Sequence, residues 1–270
     1  MTKLAVPILS DSHCHLDFDD FKPDLESVID RARRSGVIHM LTVCTRMSCF
    51  TSVRNVAENF SHVYCSVGSH PSQIFEDTSI STKKIVALAY SCNKVVAIGE
   101  CGLDYFHSNI PRDKQVDSFH AHITAAQETG MPIIIHTRNS YEETATILEK
   151  EYANKSFSGV IHCFSGPHDM AMRMLDIGLY LSLSGIITFK KSHYLRDIVA
   201  NLPINRLLIE TDAPFISPSP NRGKRNEPAY IVHINKALAE AKGIREEESA
   251  LITTQNFLHL FNKVPAYKAV

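Results

Sequence analysis

Eight runs rich in apolar and β-branched residues recur along the chain, at 8–12, 38–44, 63–68, 95–99, 132–136, 159–162, 179–184 and 207–211. Stretches with helical spacing lie between them. Leu25, Val28, Ile29 and Ala32 form one apolar stripe, closed by Arg33, Arg34 and Gly36 as a basic last turn and a glycine stop; Val116, Phe119, Ile123 and Ala126 form another before Gly130. Strands that are apolar throughout suit a sheet covered on both faces, and strict alternation with helices implies parallel order. Eight such units predict an α/β fold, a single (β/α)8 TIM barrel. A doubly wound sheet would reverse its strand order and usually carry a glycine-rich first turn, and residues 11–20 contain no glycine.

The 270 residues, 44% hydrophobic, are enough for one large core, and one barrel domain is expected over 1–270. No internal repeat, low-complexity tract or long linker interrupts it. The clearest loop, 213–228, is rich in Pro, Ser, Asn and Arg and follows the eighth strand directly, so it should rim the active face. Beyond it the pattern predicts a helix over 229–241 and a terminal helical segment over 246–261, packed on the outside as a C-terminal extension.

A formal charge of -1 argues against a protein held on nucleic acid by bulk positive charge. No run approaches the ~18 to 20 apolar residues of a membrane span, and residues 1–7 lack the apolar core of a secretory signal. A soluble, cytoplasmic protein is the expectation, with no obligate protein partner. The 7 cysteines include no Cys-x-x-Cys pair, so they read as neither a disulfide framework nor a zinc knuckle. Cys14, Cys101 and Cys163 each adjoin a candidate metal ligand, and strand alternation would turn their thiols to the helix layer.

Metal-binding side chains end five of the strand-like segments. His13 and His15, two apart, point the same way from the end of the first strand and can share one ion. Glu100 follows the apolar run Val95 to Gly99, where an unpaired buried carboxylate would cost several kcal/mol. A cation removes that cost, and two carboxylate oxygens can bridge two ions. His136 and His162 end neighbouring strands and, with Glu100, would hold a second ion. Asp212 closes the eighth strand before Ala213-Pro214, placed to bind the first ion and to accept a proton as general base. Glu210, deeper on the same face, is expected to orient a ligand rather than bind metal. Imidazole with carboxylate suits Zn²⁺, Mn²⁺ and similar divalent ions, so the pattern predicts metal-dependent hydrolysis by an activated water.

Taken together, His13-x-His15, Gly68-x-His70-Pro71, Gly99-Glu100-x-Gly102-Leu103-Asp104, His136-x-Arg138, His162-x-Phe164-x-Gly166, Glu210-Thr211-Asp212-Ala213-Pro214 and Arg225-Asn226-Glu227-Pro228 resemble the TatD-related deoxyribonucleases. The likeness runs in order from residue 11 to about 261, through Asn256-Phe257 and Leu260-Phe261. It implies one ion on His13, His15, Glu100 and Asp212 and a second on Glu100, His136 and His162, the metals being Zn, Mg or Mn. It also implies a two-metal, hydroxide-nucleophile cleavage of phosphodiester bonds in DNA, often as exonuclease trimming of single-stranded or 3′ ends.

His70 and Arg138 are placed to hold a phosphate oxygen, loop hydrogen bonding being the plainer alternative. Arg225 joins them through the motif match, and Arg222 and Lys224 could track a nucleic-acid backbone. Tyr105 and Phe106 could stack a terminal base or simply pack beneath the loop. Two rival readings remain at this level: a hydrolase of a small ester, lactone or amide on the same barrel, and a barrel whose metals only stabilise it. Glutamate at position 100, instead of a lysine able to bridge metals as a carbamate, leans toward the nuclease.

Overall fold

In the computed structural model, which describes residues 8–77, 80–107 and 109–266, the eight apolar runs become the eight strands of one parallel sheet, ordered along the sheet as along the chain. They are β1 (Leu9–Cys14), β2 (Val37–Thr42), β3 (Val63–Val67), β4 (Val95–Asp104), β5 (Ile133–Arg138), β6 (Gly159–Ile161), β7 (Tyr180–Leu183) and β8 (Leu207–Ile209). Helices α1 (Leu25–Arg34), α2 (Phe50–Asn59), α3 (Thr82–Ala89), α4 (Arg112–Thr129), α5 (Tyr141–Asn154), α6 (His168–Asp176), α7 (His193–Asn201) and α8 (Ile231–Lys242) follow the strands in turn. This is the expected (β/α)8 barrel.

Two apolar layers hold it. Met40, Val67, Ile98, Ile135 and Leu183 face outward and pack against Val28, Ile29 and Ala32 of α1 and Phe119, Ile123 and Ala126 of α4, all buried. Leu41, Val43, Val96, Ile134, Val160 and Leu208 face one another inside the barrel. Phe257, Leu260 and Phe261 complete that inner cluster. The terminal helix α9 (Glu246–Leu260) therefore does more than pack outside, as its sequence pattern suggested: its end seals the interior. A period-3.6 stripe shows which residues are buried, but not what they are buried against.

Strand β4 runs five residues past Gly99, where the apolar run stops. Gly99 and Gly102 have φ of +128° and +130°, a region closed to most side chains. A Cβ on Gly102 would sit 2.0 Å from the His136 carbonyl oxygen. These glycines let β4 shift register against β5 between Ile98 and Cys101 while pressed against it, and so carry Glu100 and Asp104 to the mouth of the barrel.

The seam between first and last strands is closed differently. Asp212 N–H donates to the His13 carbonyl and His15 N–H to the Ala213 carbonyl, both at 2.8 Å. Below them the buried carboxylate of Asp11 accepts from Thr211 N–H at 2.9 Å and from the Thr211 hydroxyl at 2.6 Å. Ser12 Oγ donates to the Ile209 carbonyl at 3.0 Å. At this seam a short backbone bridge near the mouth is supplemented lower down by side-chain bonds that a full backbone ladder supplies elsewhere in the sheet.

Candidate metal centre

The barrel brings His13, His15, Glu100, His136, His162 and Asp212 to one place at its C-terminal mouth. His13 Nε2 lies 3.3 Å from His15 Nε2, 3.5 Å from Glu100 Oε2 and 3.7 Å from Asp212 Oδ1. On the other side of Glu100, its Oε1 lies 2.8 Å from His162 Nε2 and 3.2 Å from His136 Nδ1. The rings of His13 and His162 stack at 4.1 Å, so the two halves of the cluster adjoin. His13, His15 and Glu100 form one group able to hold an ion, and Glu100, His136 and His162 another.

The outer nitrogens decide whether a cation fits. His15 Nδ1 lies 3.0 Å from the Val43 carbonyl, which can only accept, so that nitrogen carries the proton and Nε2 turns a lone pair inward. His136 Nε2 faces Asp104 Oδ2 at 3.1 Å, leaving Nδ1 bare toward Glu100. His162 Nδ1 faces Glu210 Oε1 at 3.2 Å, leaving Nε2 bare toward the same carboxylate. Lone pairs aimed at carboxylate oxygens repel unless a proton or a cation lies between them. This is the arrangement in which carboxylates and carbonyls behind histidines orient them on a metal. Divalent cations fit the donor set.

The electrostatics show the same demand for positive charge between these nitrogens and the carboxylates. Burial opposes charge on Glu100, yet His162, His70 and His13 hold its carboxyl well below the usual range. Burial likewise opposes charge on Asp212, which the close imidazoles of His15, His13 and His162 keep low. For His15 burial works against protonation, but Asp212 lifts it to about 8. His162 is raised well above its ordinary value against burial by Glu100 and Glu210. Of the four candidate ligand histidines only His13 is lowered, by burial and then by His162.

His70 has the opposite orientation. Its Nδ1 accepts from Ser72 N–H at 3.1 Å, so the proton sits on Nε2, which faces Glu100 Oε1 at 3.7 Å. Burial, then the charge of His136, pushes it down to about 3, so it stays neutral. A neutral imidazole with its N–H pointing inward is a hydrogen-bond donor and no metal ligand, which rules out the otherwise suitable trio of His70, Asp104 and His136.

Glu210 stands fully buried behind the cluster, where Oε1 also accepts from Cys163 N–H at 2.8 Å. The thiols of Cys14 and Cys101 donate to strand carbonyls, of Leu41 and Ile134, and both residues pack with the outer layer. Cys163 departs from expectation. It lies in a turn past β6 at φ +47°, with Sγ 3.0 Å from Ser184 Oγ, so strand alternation does not govern it.

Two of the cations expected near substrate are engaged elsewhere. Arg225 is committed to the Asp24 carboxylate at 2.7 and 2.9 Å and the Asp20 carbonyl at 2.6 Å, which ties the loop after β8 to the start of α1. Arg138 lies over the ring of Phe106, 4.5 Å from its centroid, and does not line the cavity above the cluster. Tyr105 donates to Glu143 at 2.7 Å. The cavity, of about 240 Å³, is lined by His15, His70, Glu100, His136, His162 and Asp212 together with Phe18, Thr45, Ser72, Gln73 and Phe215. Sequence reasoning missed these last five and the orienting role of Asp104. The only signal was an aromatic residue directly after His-x-His-x-Asp and another directly after Asp-Ala-Pro.

A parallel barrel with buried histidines and carboxylates converging at its C-terminal mouth is the architecture of the metal-dependent hydrolases. The comparisons make the class specific: a family model described as TatD related DNase matches residues 10–262, and the chain belongs to that family. It is 39% identical to the uncharacterized metal-dependent hydrolase YabD of Bacillus subtilis, covering 94% of this chain and 99% of that one. It is 36% identical to YcfH of Escherichia coli, named in the same way, over 94% and 96%. The crystal structure of the TatD homologue YjjV from E. coli superposes with a TM-score of 0.86 at 29% identity, covering 96% of this chain and 99% of that one.

Proposed function

We propose that this hydrolase cleaves phosphodiester bonds at unpaired ends of DNA, using two divalent ions that share Glu100. The observation that carries the reading is the reversed tautomer of His70, an N–H donor that lines the same small cavity beside the ligand cluster. A phosphodiester presents both features such a site recognises, an anionic oxygen for the donor and another for the metals. Bound cations would supply Lewis acidity and a water acidified toward neutral pH.

The chain's own groups do the rest. Glu100, ionised and buried, neutralises charge on both sides of the cluster. Asp212 Oδ1, 3.3 Å from His15 Nε2, lies where it can take a proton from an attacking water. His70 donates from Nε2 to a non-bridging phosphoryl oxygen, and Ser72 keeps that donor oriented. Glu210, Asp104 and the Val43 carbonyl fix the imidazoles, so the site does not reorganise as charge develops. The family model's description, TatD related DNase, supports the same substrate class.

The test is digestion of 3′-labelled and 5′-labelled single strands with and without chelator, beside a panel of lactones and simple esters. Chelator-sensitive release of mononucleotides is expected. Glu100→Ala should abolish it with the fold retained, and Asp212→Asn should cut turnover by about two orders of magnitude or more while sparing binding. Turnover of lactones alone, or an undiminished rate in Glu100→Ala, would overturn the reading.

A further inference from the structure

Phe215 lies 51% exposed at the mouth of the cavity, and its ring lines that cavity beside the candidate ligands. Its backbone is held firmly. Phe215 N–H donates to the Asp212 carbonyl at 2.8 Å, and Asn226 Nδ2 donates both to the Phe215 carbonyl at 2.6 Å and to the Thr211 carbonyl at 2.8 Å. Phe18 supports the ring edge to face, with centroids 5.9 Å apart and planes at 78°, and itself stacks on His15 at 4.8 Å. The ring is thus fixed relative to two candidate ligands, His15 and Asp212.

Phe215 also stands between two cavities. On one side is the metal cavity of about 240 Å³; on the other is a groove of about 510 Å³ that includes Arg222, Lys224 and the Asp24-bound Arg225, with Asp20 as its one carboxylate among the described residues. The first lies below the ~300 Å³ at which small-ligand pockets usually begin, so it has room for one flat group and its phosphate and none for a duplex. A strand that runs from this groove to the metal cavity passes this ring, since Phe215 lines both. The next phosphate would then meet the basic groove behind it.

We propose that Phe215, braced by Phe18, is a stacking platform for the nucleobase of the strand end held in the metal cavity, so that the site selects an unpaired base over a bare sugar phosphate. The proposal rests on the phosphodiester reading and adds to it what the site recognises besides the phosphate. Base–aromatic stacking is tolerant of sequence and strong enough to shift affinity about tenfold or more.

The test is calorimetric titration of the Mn²⁺-loaded protein with thymidine 5′-monophosphate and with 2-deoxyribose 5-phosphate, for wild type, Phe215→Ala and Phe215→Trp. Wild type should favour the nucleotide about tenfold, Phe215→Ala should bring that ratio close to one, and Phe215→Trp should keep it. A ratio of one in wild type, or the same ratio in wild type and Phe215→Ala, overturns the platform. So does an equal loss of both ligands in Phe215→Ala. Binding ratios that behave as expected in a protein that cuts no strand would uphold the platform and sink the nuclease reading, so the two fail separately.

Discussion

The position of a single proton separates the histidines of this protein into those that offer a lone pair and those that offer a hydrogen. His15, His136 and His162 turn a bare nitrogen to the cluster, whereas His70 turns an N–H. His122 shows the same logic away from the metals. It is fully buried, its Nδ1–H donates to the Ser118 carbonyl at 2.7 Å, and its Nε2 accepts from Ser69 N–H at 3.1 Å, next to His70. Burial pushes it down to about 4. Because the folded value lies below the unfolded one, this neutral histidine contributes its full stability above pH 6.5. That stability is lost as pH falls from 6.5 through 4, by about 3 kcal/mol in all. Urea unfolding at pH 7.5 and 4.5 should show His122→Leu weaker than wild type at the higher pH but losing less on acidification; parallel losses would exclude this source. The spacing of the histidines is visible in the sequence. Their tautomers are not, because Val43, Asp104 and Glu210, which set them, lie 28, 32 and 48 residues away.

At the scale of elements, β4 is the piece on which the site turns. Its register shift delivers Glu100, which two of the candidate metal-binding groups have in common, and then Asp104, which orients His136 on the neighbouring strand. Gly102→Ala would place a methyl group 2.0 Å from the His136 carbonyl at a φ of +130°. We expect a loss of several kcal/mol in urea unfolding, since overpacking and a forbidden φ add, together with a weaker hold on metal by His136. An unchanged midpoint would mean that β4 can straighten freely. Strand positions were legible from apolar runs, yet β4 was expected to end at Gly99, since glycine usually weakens a strand. Here it permits the close approach to Ile134 and His136 that prolongs one. Arg225 was read from its motif as a substrate contact, and the motif instead marks a clamp between the last loop and α1.

For the whole molecule, eight strand–helix alternations were enough to predict the barrel, but the plug and the seam were not legible because each joins parts remote in sequence. Phe257, buried inside the lower barrel and 4.8 Å from the ring of Phe261, closes a space that alternation alone would leave open. Phe257→Ala should cost about 3 to 5 kcal/mol, read from urea midpoints. Metal should stabilise the barrel as any ligand of the native state does. At about a thousandfold excess of Mn²⁺ over its dissociation constant the gain is about 4 kcal/mol, a rise in melting temperature that chelator removes and Glu100→Ala lacks. Equal melting with and without metal would show that the cluster binds none. The seam also fixes the timing of competence during synthesis. His13 and His15 come from the first strand and its end and Asp212 from just past the last, so a nascent chain that has not yet reached residue 212 holds only part of the candidate ligand cluster. The candidate metal centre can therefore assemble only after residue 212 has left the ribosome, and a translation product that stops short of it lacks Asp212.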